Sequence, residues 1–171
     1  MSGTVSHITI DNTGTGGWVI FEGDNTYSGS TTIKDGGILS VSKDANLGDA
    51  TASLIVDGGT LLTTETFSSN RDVTLASTGA VHVTGNKTLT LTGSMTGTGS
   101  WVKEGAGTLV LTSNNTYTGS TTVAGGILIV GDADSSLTGG SSLSGGNSIS
   151  VANGAAFGGY GSVTGNVDNN G

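Results

Sequence analysis

The sequence predicts an all-β chain wound as a right-handed, single-stranded parallel β-helix, a β-solenoid cut from a longer one. Three observations point there. The 171 residues include 32 Gly, no Pro and only 11% charged residues, far from the composition of an average globular domain. Val, Leu and Ile stand singly between Thr, Ser and Gly, in alternation rather than at the three- and four-residue spacing a helix needs. One phrase also occurs twice, as DNTYSGSTTIKDGGILSV at 24–41 and NNTYTGSTTVAGGILIV at 114–130.

The candidate strands run the length of the chain: HITI, GWVIF, STTI, GILSV, SLIVD, TLLTT, DVTLA, AVHVT, KTLTLT, GTLVLT, STTV, GILIV, SISVA and GSVTG. Gly, Asn or Asp separates most of them, as strand corners require. In KTLTLTG, Leu89 and Leu91 point to one face and Thr88, Thr90 and Thr92 to the other. By the same parity His82 lies opposite Val81 and Val83, and His7 opposite Ile8 and Ile10, so both histidines read as exposed. With no helical crossover, parallel strands must return through further strands of the same coil. Turns of roughly 20 to 25 residues, about seven of them, follow from solenoid periods. A β-sandwich or barrel is the competitor, and its two-residue hairpin turns are not evident.

The whole of 1–171 reads as one β-helix segment with two related repeat units, about 13–42 and 96–130. Aligning them pairs Leu39 with Leu128, Val41 with Val130 and Ser40 with Ile129. The first four face inward on this reading, and Ser40 and Ile129 outward. TGTGGWV at 13–19 resembles TGTGSWV at 96–102, which pairs Trp18 with Trp101, while Tyr27 pairs with Tyr117. The offset grows from 101 − 18 = 83 to 117 − 27 = 90, so the second unit holds seven extra residues around KEGAGTLVLTS. It falls to 89 where Lys34-Asp35 meets the single Ala124.

GAGTLVLTSNNTYTGSTTVAGGILIV, 105–130, resembles the autotransporter-associated β-strand repeat of bacterial autotransporter passenger domains. Over 13–41 the likeness lacks the GAGTLVLT half, and the C-terminal GGYGSVTGNVDNNG is similar to the late turns of such passengers. The resemblance implies a right-handed parallel β-helix, exported via the periplasm and displayed at the cell surface through a cognate C-terminal β-barrel translocator. MSGTVSHITI lacks the basic start and apolar core of a signal peptide, and the chain reads as an excised fragment, without signal or barrel, that does not secrete itself.

The formal charge of −8 argues against nucleic acid and anionic membranes as partners, and Arg71 and four dispersed lysines form no basic patch. No apolar run reaches the length of a membrane-spanning helix. Zero Cys excludes disulfides and Cys-ligated metal. A serine-protease site lacks a GxSxG-like segment and an oriented base beyond His7 or His82. A polysaccharide-cleaving site needs paired acids; Asp132 with Asp134, Asp44 with Asp49, and Glu22 with Asp24 read instead as corner and surface residues. Val163 stands where a calcium nonapeptide needs Asp, and there is no phosphate-binding glycine loop. The sequons at Asn86 and Asn114 receive no role.

Catalytic, cofactor and metal residues are accordingly expected to be none. Trp18, Tyr27, Trp101 and Tyr117 admit a sugar-stacking reading, but their place in the repeat favours a structural one. The Thr rows lack the regularity of an ice-binding face. The function that follows is a structural stalk of a passenger supporting folding-coupled secretion. The alternative is an adhesin or self-association surface toward host, bacterial or like molecules, and a polysaccharide-cleaving enzyme ranks behind both.

Overall fold

A computed structural model describes residues 7–12, 14, 17–131, 140–145 and 148–170. Short alternating segments separated by Gly and Asn become strands of two to five residues, in chain order. The first passes lay down β1 (His7–Asp11), β2 (Val19–Phe21), β3 (Ser30–Lys34) and β4 (Ile38–Val41), followed by a 3₁₀ turn at Asp44–Leu47. β5 (Leu54–Asp57) and β6 (Thr60–Thr63) then extend the first two sides and β7 (Phe67–Ser69) opens a third, and β8 (Val73–Leu75), β9 (Gly79–Val83) and β10 (Thr88–Leu91) extend all three. β11 (Met95–Gly97), β12 (Trp101–Glu104), β13 (Thr108–Leu111), β14 (Asn114–Asn115), β15 (Thr121–Val123) and β16 (Ile127–Val130) continue the winding. β17 (Ser142–Leu143), β18 (Ile149–Val151), β19 (Ala156–Gly159), β20 (Ser162–Val163) and β21 (Val167–Asn169) end it.

These strands stack as four sheets, ordered β1-β3-β5-β8-β11, β2-β4-β6-β9-β12-β15-β18-β21, β7-β10-β13-β16-β19 and β14-β17-β20. Every pairing between them is parallel. The fourth sheet carries on the first: beside β14, Thr116 N–H donates to the Met95 carbonyl and Thr118 N–H to that of Gly97, each at 2.9 Å. The result is a three-sided β-solenoid. Its longest sheet has eight strands, hence seven turns, the shortest 169 − 151 = 18 residues and the longest 151 − 123 = 28.

Alternation sends every second side chain into columns inside the coil. On the third sheet Phe67, Leu89, Leu109, Leu128 and Phe157 form one column, and Ser69, Leu91, Leu111, Val130 and Gly159 the next. On the second sheet Leu39, Leu61, Val81, Lys103, Val123 and Val151 form a column broken by one lysine. Leu39, Val41, Leu128 and Val130 are buried, as the aligned repeats predict. Ile129 faces outward and is half-buried. Ser40 also points outward, yet it is buried, because Ile20 and Leu62 flank it on neighbouring strands.

The repeated phrase builds the same corner at two different places round the coil. In both copies the tyrosine hydroxyl meets the Oγ1 of the threonine four residues on, Tyr27 with Thr31 and Tyr117 with Thr121, each at 2.6 Å. Both rings are buried. STTI and GGILSV of the first copy lie on the first and second sheets, but STTV and GGILIV of the second copy lie on the second and third. The cause is the seven-residue insertion, which supplies β13 on the third side, where the first copy has no strand. One added strand advances everything after it by one side.

The two tryptophans do not correspond. Register places Val19, not Trp18, in the inward column of Leu39, Leu61, Val81 and Lys103. Trp18 therefore points outward and is 60% exposed, whereas Trp101 is 1% exposed. Trp101 meets Tyr117 edge to face, with ring centroids 6.2 Å apart. The Lys34-Asp35 difference is a wider turn: Asp35 and Gly36 both take positive φ, 50° and 77°, where the shorter turn uses Gly126 at 63°.

Truncating an inward residue leaves a void between two turns, so Leu109→Ala is expected to cost about 2–5 kcal/mol. The outward Val110→Thr is expected to cost less than about 1 kcal/mol. Urea denaturation of the two variants measures the contrast.

Candidate functional site

Two cations lie inside the coil. Lys103 is fully buried. Its Nζ donates to the carbonyls of Glu104 at 2.7 Å, Gly105 at 3.0 Å and Gly125 at 3.2 Å, so it ties the corner of its own turn to that of the next. Burial pushes its pKa down from 10.5 to about 8, with Glu104 opposing. Arg71, read from sequence as one of several scattered cations, is 3% exposed. Its Nε donates to Asp44 Oδ1 at 2.9 Å and its Nη2 to the Gly48 carbonyl at 2.8 Å, with further bonds to the carbonyls of Asp49 and Ala52. The guanidinium gathers the irregular segment that replaces a strand on the third side. Asn46 completes that segment by accepting from Ser42 and Lys43 N–H and donating to the Gly23 carbonyl.

Of the acids singled out in the sequence, Asp24, Asp44 and Asp49 are each engaged by a different partner. Asp44 is held by Arg71. Asp49 accepts from Thr51 N–H at 2.8 Å and Thr51 Oγ1 at 2.7 Å, which lowers its pKa. Asp24 pairs with Lys43, while Glu22 is exposed. Asp132 and Asp134 lie outside the described residues. Asp11 and Asp35 converge on Lys34 Nζ at 3.3 and 2.9 Å, raising the lysine's pKa. Among the described residues no cluster of three His, Asp or Glu could hold a metal ion, and no helix is long and apolar enough to cross a membrane.

His7 is exposed, its Nδ1 2.9 Å from Ser30 Oγ. His82 faces outward as predicted but is only partly exposed, with Nδ1 3.5 Å from Glu104 Oε2 on the next turn. That pair closes one end of a groove of about 390 Å³ on the outer face of the second sheet. Trp18 stands at the other end, with Ile38, Leu62 and Thr64 between. Three of the four repeated aromatics, Tyr27, Trp101 and Tyr117, are core residues. Trp18 alone of the four is presented to solvent. Sequence alignment hid this, because the one-residue register difference that turns it outward appears only when strands pair.

Residues 11–41 and 102–130 match the family described as the passenger-associated-transport-repeat. The two matched stretches contain the repeated phrase and the corner tyrosines. The chain is 44% identical over 87 residues to the adhesin BmaC autotransporter of Brucella suis biovar 1 (strain 1330), an alignment covering 51% of this chain and 2% of that protein. The chain thus spans a very small part of the relative's length. No solved structure matches it.

Burial of Lys103 makes stability depend on pH in a stated direction. Between about pH 8 and 10.5 the unfolded chain holds more protons than the fold through Lys103, so that residue's contribution raises stability with pH by at most about 3.5 kcal/mol at ~1.4 kcal/mol per pKa unit. Above about pH 10.5, where the Lys103 contribution is complete, the slope reverses, because burial raises the pKa of Tyr27 and Tyr117 and the unfolded chain loses those protons first. Urea midpoints between pH 7 and 11 are expected to trace this maximum, and Lys103→Met to remove its rising limb. Arg71→Ala leaves several buried carbonyls without a donor and is expected to cost roughly 3 kcal/mol or more, measured by the same midpoint at pH 7.

Proposed function

We propose that this chain, an autotransporter passenger segment carrying two transport-associated repeats, acts as a structural stalk. It holds other parts of its parent protein away from the bacterial surface and draws itself outward as it folds. Its partner in export is a C-terminal β-barrel translocator, and its place of work is the cell surface or the extracellular space. The observation that carries the reading is the sequential stacking of turns. Each strand pairs only with the turns before and after it, and each added turn closes a parallel ladder and buries another layer of Leu, Val and Ile.

The energetics suit a one-way process. A buried Leu or Val contributes about 1.5–3 kcal/mol, and in a solenoid this gain accrues at the interface between neighbouring turns. A turn that has docked outside a narrow pore must lose that interface before it can slide back. No cysteine is present to form a disulfide that would block threading. The function needs no reacting group, and we assign the chain no catalytic role.

A second reading, adhesion or self-association through the outer rows of Thr, Ser and Asn, is favoured by the name of the Brucella relative. The outer surface contributes little to the packed interior, so it can diversify without loss of the coil.

Export tests the stalk reading. In a full-length passenger joined to its translocator, Leu109→Asp with Leu111→Asp places two carboxylates in adjacent interior columns of one turn. Surface display, measured by protease accessibility on intact cells, is expected to fall by at least tenfold; display at the unaltered level would overturn the stalk reading. Replacement of the outward Thr88, Thr90 and Val110 by Ser is expected to leave display unchanged.

A further inference from the structure

We infer that the groove between Trp18 and the His82–Glu104 pair binds the terminal neutral disaccharide of a surface glycan, one pyranose on Trp18 and the next directed toward the His82–Glu104 pair. The inference rests on the adhesive reading and names its ligand. The two ends of the groove differ in chemistry. At one end the indole of Trp18 is 60% exposed, although its counterpart in the other repeat is buried in the core. At the other, His82 and Glu104 from successive turns lie 3.5 Å apart. Ile38 and Leu62 supply an apolar floor between them, and Thr64 a hydroxyl at the side.

His82 lies three strands along the sheet from Trp18, about 14 Å at ~4.8 Å per strand, so two linked pyranose rings, with both side chains leaning into the groove, divide its features between them. One face of such a ring is built of C–H groups and stacks on an aromatic or aliphatic surface, while its rim carries hydroxyls that need donors and acceptors. An imidazole beside a carboxylate offers both to adjacent hydroxyls, and the threonine hydroxyl offers either. The groove volume of about 390 Å³ falls in the lower part of the range for small-molecule sites, a size for about two sugar units.

Charge selects among sugars. Glu104 lines the groove, Glu22 lies in the adjoining recess beside Trp18, and the chain carries a net charge of −8. Sialic and uronic acids would bring a carboxylate into this field and are disfavoured. An apolar peptide side chain would cover the floor but leave the His82–Glu104 pair desolvated without new partners, which costs free energy.

The test titrates the 171-residue chain, with its β-sheet circular dichroism verified, against neutral hexose disaccharides and their sialylated counterparts. Neutral disaccharides are expected to bind with a Kd on the order of a millimolar or below. Trp18→Ala is expected to weaken binding at least tenfold and Glu104→Gln about threefold or more. Tyr160→Ala, which removes an aromatic 75% exposed and far along the chain, is expected to bind as the parent does. The inference is overturned by unchanged binding in Trp18→Ala, by preference for sialylated sugars, or by no neutral disaccharide binding at about 10 mM. Cells that still attach to their target while the purified chain binds no sugar would sink the glycan inference and leave the adhesive reading standing.

Discussion

The ladder of parallel hydrogen bonds between one turn and the next, 18 to 28 residues further along the chain on the longest sheet, is the constraint on which the other features depend. It fixes which side chains share a column, and it makes each turn a template for its successor. An inward residue must fit the residue directly above and below it. Leu89, Leu109 and Leu128 show the simple outcome, three like side chains stacked on the third sheet. Where the column admits something unlike, the surrounding backbone must answer for it.

Lys103 and Arg71 are the two places where it does. A charge removed from water is costly unless its protons find acceptors. Coil corners provide them, because successive turns present carbonyls at the same place. Lys103 takes three such carbonyls from two turns, and Arg71 combines the Asp44 carboxylate with carbonyls of an irregular segment that forms no strand, though Asp49 N–H donates to the Tyr27 carbonyl and the Ala45 carbonyl accepts from Asn25 N–H on the turn before. Both cations therefore act at irregularities of the coil. Their positions explain how a chain with only five basic residues can place two of them inside.

The outer surface obeys a looser rule. A duplicated phrase can move one side round the coil and still make the same Tyr–Thr corner, since that corner is held by residues four apart. What such a shift changes is which outward side chains become neighbours. Trp18, Leu62, His82 and Glu104 come from four different turns and meet only because their turns stack in this register. A solenoid can thus keep an interior suited to sequential folding while its exterior acquires recognition chemistry.

Alternation determined the strands and the inward Leu89 and Leu91, because side-chain direction along a strand is a local property of period two; the aligned repeats fixed the inward set Leu39, Val41, Leu128 and Val130, and the lack of a helical crossover pointed to the parallel coil. The duplicated phrase likewise marked the corner tyrosines as structural. Only the tertiary structure decided the rest. That Trp18 faces solvent while Trp101 is buried, that Ser40 is covered although it points outward, and that Arg71 and Lys103 lie inside all depend on register between turns. So does the groove that ends at Glu104. Register is set by the lengths of the corners and by the one inserted strand, and a change of a single residue reverses the face on which a side chain appears. Periodicity carries the direction of a side chain within its own strand, and it carries no information about which side chain from the next turn will stand beside it.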